Sequence, residues 1–102
     1  MGKNSNRKSL IRMIVNVVVH EIVALHTNRP ESRNFLNSEV IAYTGQTEKI
    51  AEKYNWNDLD KQYVEEKAFA EIKNILNYDY PDVKYSESEL SEKLKELIEK
   101  VM

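Results

Sequence analysis

Residues 8–26, with the sequence KSLIRMIVNVVVHEIVALH, decide the fold of this chain. The segment is rich in β-branched side chains, which makes a β-strand a real alternative. Its polar residues nevertheless recur at every fourth position: Lys8, Arg12, Asn16 and His20. This spacing places the four residues in one line along the side of a helix, whereas a strand would need polar residues at every second position. The pattern therefore predicts a helix that is apolar around most of its circumference.

The remainder of the chain predicts further helices that pack around this first one. Asn28, Pro30 and Glu31 together have the composition of a helix start, and Gly45 that of a helix stop. Thr47 is expected to cap a short helix, and Ser86 with Glu89 to form a capping box. The second helix is expected to turn four residues toward the core: Phe35, Leu36, Val40 and Tyr43.

The predicted fold class is therefore all-α, a bundle of five helices around an apolar N-terminal helix. The last helix carries a seam of apolar residues at steps of four, three and four, which favours docking on the first helix. A flexible tail is expected at residues 1–7 and a single helical domain at residues 8–102. The five helices are predicted at residues 8–26, 29–43, 47–55, 58–77 and 87–101.

Composition limits the class of protein. The chain has 102 residues, of which 41% are hydrophobic and 31% charged, with only 2 Gly and 2 Pro. Such a composition indicates a globular domain and argues against disorder and against turn-rich β-sandwiches. The absence of cysteine excludes thiol catalysis and cysteine-based zinc sites, and favours a cytoplasmic location.

The N-terminal apolar run is interrupted by Asn16, His20 and Glu21, and no small-residue cleavage site follows it. We therefore expect neither an export signal nor a membrane anchor, and no membrane partner.

Charge is distributed unevenly along the chain. Residues 1–33 hold six basic and two acidic side chains, and residues 34–102 hold nine basic and fifteen acidic ones. Such asymmetry indicates either a surface that binds polyanions or two surfaces that attract one another. For the first alternative the candidate anion-binding and nucleic-acid-binding residues are Lys3, Arg7, Lys8, Arg12, His26, Arg29 and Arg33.

Within this set, Arg29 and Arg33 are one helical turn apart at a predicted helix N-terminus, where backbone N–H groups favour anions. His20 and His26 are six residues apart, which places them about 120° apart on a helix. Because one ion could not be bound by both, no metal and no cofactor is expected.

No residue pattern specifies a reaction, so the leading hypothesis is a non-catalytic helical module for protein interaction. The first helix is expected to have more apolar surface than short helices can cover, which predicts a homodimer or another protein as partner. A nucleic-acid-binding protein is the alternative, and a metal-independent hydrolase or nuclease that uses His20 or His26 is the third hypothesis. The expected interaction surface consists of Val15, Val18, Val19, Ile22, Leu94 and Leu97.

Overall fold

The structure is a computed structural model that describes residues 3–27 and 29–102, and of residues 3 and 4 the backbone only. Within these residues the chain forms four α-helices and no strand. The helices are α1 (Lys3–His26), α2 (Pro30–Ala51), α3 (Asp58–Asp79) and α4 (Glu87–Val101). The predicted all-α class is confirmed, whereas the predicted number of five helices is wrong.

The difference arises in α2, which replaces the two helices predicted at residues 29–43 and 47–55. Gly45 lies in the interior of α2 and does not end it. A glycine inside a helix costs about 1 kcal/mol relative to alanine. That cost is outweighed here because α2 packs on the core both before Gly45, through Leu36, Val40 and Tyr43, and after it, through Ile50 and Ala51. Thr47 is fully buried in the same helix and caps nothing.

The helix ends follow the capping rules, with some changes of position. The first helix begins at Lys3, five residues before the predicted start, and the flexibility of the N-terminal residues stays a prediction. The predicted cap Asn28 lies outside the described residues, and Pro30 occupies the first turn of α2 as expected. The side chain of Asn57 caps α3. Ser86 accepts a hydrogen bond from the Glu89 backbone N–H at 3.1 Å, which is one half of the predicted box.

The helix α1 is the central element, and each of the other three helices packs against it. Helices α2 and α4 run antiparallel to α1 and α3 runs parallel to it. Helices α3 and α4 also pack on one another, whereas in the described part of the chain no Cα atom of α2 lies within 8 Å of one of α3. The core therefore lies along α1, with α1 contributing these buried apolar residues: Leu10, Ile11, Ile14, Val15, Val17, Val18, Val19, Ile22, Val23 and Ala24.

The predicted polar line along α1 is present in the structure. Lys8 and Arg12 are exposed, Asn16 and His20 are half-buried, and the apolar residues between them are mostly buried. The other helices thus cover most of the apolar circumference of α1 within one chain. This coverage removes the physical reason for expecting a second chain on α1.

By length and composition alone, residues Ser5–His26 would also pass for a membrane-spanning helix. In the structure 56% of this apolar window is buried against the rest of the chain, as in the core helix of a bundle.

Candidate functional site

The six residues expected to form an interaction surface lie in the interior of the chain. None of them is more than 5% exposed, and all belong to the hydrophobic core. A partner cannot reach them in this conformation, so the prediction that they form an interaction surface is corrected. Their role is to stabilise the bundle. Full burial of one large apolar side chain contributes about 1.5–3 kcal/mol to the stability of the fold. The six residues are Val15, Val18, Val19, Ile22, Leu94 and Leu97.

The candidate anion-binding residues do not meet at one place. Lys8 lies near the beginning of α1 and His26 at its end. Eighteen residues of helix separate these two positions by about 27 Å. Arg7 and Arg12 belong to the first end, while Arg29 and Arg33 belong to the second. The basic residues therefore form two separate regions and not one basic face. The side chain of Lys3 lies outside the described part of the chain.

The side chain of Arg33 caps the C-terminal end of α1 and is not free to hold a ligand. Its Nε donates to the carbonyl oxygen of Ala24 at 3.3 Å, and its Nη2 donates to the carbonyl oxygen of Thr27 at 2.9 Å. The last carbonyl groups of a helix lack partners within the helix, and a cation there also complements the helix dipole. Arg33 thus ties the first turn of α2 to the end of α1.

Arg7 and His26 also have partners within the chain. The Nη1 of Arg7 lies 3.3 Å from Oδ1 of Asp60, and its guanidinium lies 4.1 Å from the ring centre of Tyr63. The Nε2 of His26 lies 2.8 Å from Oε1 of Glu89. These contacts join α1 to α3 at one end and to α4 at the other.

Lys8 and Arg12 remain available, and the structure adds Lys67 of α3 to them. Together with Tyr63 and Glu71 these residues line a shallow cavity of about 310 Å³, which we term the basic cluster. Among the described residues no carboxylate oxygen lies within 4.0 Å of these three cations. Lys67 could not be assigned to this site from the sequence, because its position beside Arg12 depends on the register between α1 and α3.

A second site lies where α1 turns into α2, and we term it the elbow pocket. Its volume is about 560 Å³, and Phe35 at its edge is 64% exposed. The expectation that Phe35 faces the core is wrong, because Leu36 occupies the inward position. The sequence could not show this pocket, since its walls come from three separate segments. They are formed by Val23, Thr27, Arg29, Glu31, Ser32, Phe35, Leu36 and Tyr80.

A groove of about 630 Å³ runs between α2 and α4 above Glu21 of α1. Partial burial raises the pKa of the Glu21 carboxyl group above its usual value. The ammonium group of Lys93, 4.0 Å from this carboxyl group, acts in the opposite direction and lowers the pKa. Lys100 and Glu48 face each other across the groove at 3.9 Å. Four of the five charged residues that line this groove therefore form two ion pairs, and the fifth, Glu96, adds a negative charge near Glu21.

The two histidines are not brought together. The Nδ1 of His20 donates to the carbonyl oxygen of Asn16 at 2.6 Å, and its ring lies 5.5 Å from that of Tyr43. His26 instead contacts α4, about 9 Å further along α1. Among the described residues no three metal-ligating side chains cluster. His20 and His26 therefore do not form the combined acid–base site that the hydrolase hypothesis requires of them.

No family model matches this chain, and no curated protein or solved structure shows significant similarity to it. Two surfaces remain as candidates for function: the elbow pocket and the basic cluster.

Proposed function

We propose that this chain is a non-catalytic interaction module that forms a two-fold dimer through the elbow pocket. The observation that carries the proposal is the exposure of Phe35, whose large apolar ring is 64% exposed beside a cavity with apolar walls. Exposed apolar groups that border a pocket are typical of interfaces, where a few buried aromatic anchors supply most of the binding energy.

A second copy of the chain is the occupant that fits this surface. The patch carries both a protruding ring, Phe35, and a cavity with walls from Val23, Leu36 and Tyr80. In a two-fold interface the same patch meets itself, so each ring can enter the cavity of the other copy. A cavity of about 560 Å³ leaves room for a phenyl ring.

The charges at the pocket also favour pairing with a copy. Arg29 and Glu31 both line the pocket and carry opposite charges. A two-fold axis that passes between these two residues places Arg29 of each copy beside Glu31 of the other, which gives two equivalent ion pairs at the rim. Such pairs contribute little to affinity individually, but they select the orientation of the partner.

The first test is the mass of the protein in solution, measured by light scattering at concentrations up to roughly 300 μM. We expect a dimer for the natural chain and a monomer for Phe35→Ser. The matched control is Leu59→Ser, because Leu59 is 75% exposed but lies far from the pocket, at the beginning of α3. A natural chain that stays monomeric, or equal behaviour of both variants, would overturn the proposal.

A charge exchange tests the orientation of the two copies. Arg29→Glu alone and Glu31→Arg alone should each weaken the dimer about tenfold, because like charges then face each other across the interface. An equal mixture of the two variants should recover dimerisation, since each mixed pair restores both attractions. If the mixture is as weak as its components, the two residues do not meet across a two-fold axis.

A further inference from the structure

The dimer proposed above does not use the basic cluster, which lies at the opposite end of α1. Lys8 and Arg12 are one turn apart on α1, and Lys67 comes from the adjacent helix α3. Glu71 is the one carboxylate among the residues that line the cavity, so the site has a net charge of about +2. This region is basic although the chain as a whole has a net charge of −2.

A tyrosine ring, that of Tyr63, lies beside these cations in the lining of the cavity. The guanidinium of Arg7 lies over the ring of Tyr63 at 4.1 Å and is anchored by Asp60. Lys67 Nζ lies 5.7 Å from the centre of the same ring, and Tyr63 remains 37% exposed. Arg7 therefore acts as a positioning residue, and the open part of the ring is available to a flat ligand group.

The polar line of α1 leads away from this cluster along the surface. Asn16 and His20 continue the spacing of Lys8 and Arg12, and the ring of Tyr43 lies beside His20 at the far end. From Lys8 to His20 the line is about 18 Å long, because each residue adds ~1.5 Å. This length suits about five stacked nucleotides at ~3.4 Å each.

We propose that this line is a binding site for the phosphodiester backbone of single-stranded nucleic acid. Lys8, Arg12 and Lys67 bind phosphate groups, and the ring of Tyr63 stacks on a base. Proteins that bind single strands without sequence preference combine these two elements, a basic track and aromatic rings. The site is independent of the elbow pocket, so its failure leaves the dimer proposal untouched.

The test measures the fluorescence anisotropy of a labelled single strand of about 12 nucleotides, titrated with the full chain. Three phosphate contacts predict that affinity falls roughly twentyfold between about 50 and 200 mM NaCl. The triple variant Lys8→Gln/Arg12→Gln/Lys67→Gln should bind at least about tenfold more weakly and lose most of this salt dependence. Glu71→Gln should bind more tightly, because it removes the opposing charge.

The matched control removes the same charge from three exposed lysines outside the cluster: Lys49→Gln, Lys84→Gln and Lys95→Gln. It should bind as the natural chain does. Tyr63→Ala should weaken binding by about tenfold through loss of stacking, with the salt dependence unchanged. Circular dichroism of each variant ensures that the compared proteins are folded.

Several results would overturn the proposal. One is the absence of binding to the single strand at about 50 mM NaCl. Another is equal weakening by the cluster variant and the control, which would indicate general charge attraction. A duplex that binds as tightly as the single strand, or binding to anionic phospholipid vesicles alone, would assign the cluster to a different ligand.

Discussion

The hydroxyl group of Thr47 donates a hydrogen bond to the carbonyl oxygen of Tyr43, 2.6 Å away, in the middle of α2. Thr44 makes the equivalent bond to the carbonyl oxygen of Val40 at 2.7 Å. Gly45 lies between these two threonines. Both hydroxyl groups are satisfied within the helix, so neither competes for the backbone as a cap would, and packing on the core keeps α2 continuous through a segment with the composition of a helix end.

We predict that Gly45→Ala stabilises the protein by about 0.5–1 kcal/mol, because alanine loses less backbone entropy on forming a helix. A Cβ atom at this position would meet nothing within 4 Å, and the glycine does not have a positive φ. Urea unfolding at fixed protein concentration measures the change. Ala42→Gly, at an exposed position in the same helix, should lower stability by a similar amount. A destabilised Gly45→Ala variant would contradict the expectation that the position is open.

The sequence pattern was sufficient for the class of fold and for the role of α1. The four-residue spacing of Lys8, Arg12, Asn16 and His20 identified the exposed side of α1 because helical geometry alone converts spacing into direction. The same reasoning failed at Gly45, since a local preference of about 1 kcal/mol is smaller than the packing energy of a long apolar side. Local signals thus predicted which segments are helical better than where each helix begins and ends.

The candidate sites were less accessible to sequence reasoning. The basic residues could be listed from the sequence, but their grouping in space depends on which helices lie side by side and in which register. Lys67 joins Arg12 only because α3 runs parallel to α1, and Tyr80 reaches the elbow pocket from the end of α3. Arg33 was expected to bind anions, whereas the carbonyl groups that it contacts become visible only when α1 and α2 are placed together.

We predict that Arg33→Ala lowers the free energy of unfolding by about 1 kcal/mol, because two carbonyl groups at the end of α1 lose a charged donor. The same variant should bind single-stranded nucleic acid as the natural chain does, since Arg33 lies at the other end of α1. Urea unfolding and strand binding measured on one preparation separate the two roles. The control Lys53→Ala removes a charge from an exposed site outside this cap. Unchanged stability together with weakened strand binding would show that Arg33 binds nucleic acid and does not stabilise the end of α1.

The last prediction concerns pH and Glu21. Its pKa is raised above the ordinary value of 4.5, first by burial and further by Glu96, while Lys93 and Lys100 lower it. A raised pKa means that the folded state prefers the protonated carboxyl group. The stability due to this preference is fully present below the unfolded pKa and is lost as the pH rises through the higher folded pKa.

Replacement by glutamine removes this dependence. The free energy of unfolding of Glu21→Gln relative to that of the natural chain should therefore increase between about pH 4 and pH 7. The expected gain is a fraction of a kcal/mol, because Glu21 is only partly buried and its charge is screened by solvent. Urea unfolding followed by the fluorescence of Trp56, the single tryptophan, provides the measurement.

Two further variants make this prediction specific. Lys93→Gln should steepen the loss of stability with pH, because its ammonium group, 4.0 Å from Glu21, holds the pKa of that carboxyl group down. Glu99→Gln, at an exposed position of α4, corrects for the change in net charge. If the curves of the natural chain and Glu21→Gln stay parallel over this range, the carboxyl group is solvated as in the unfolded chain, and burial in the groove between α2 and α4 does not act on it.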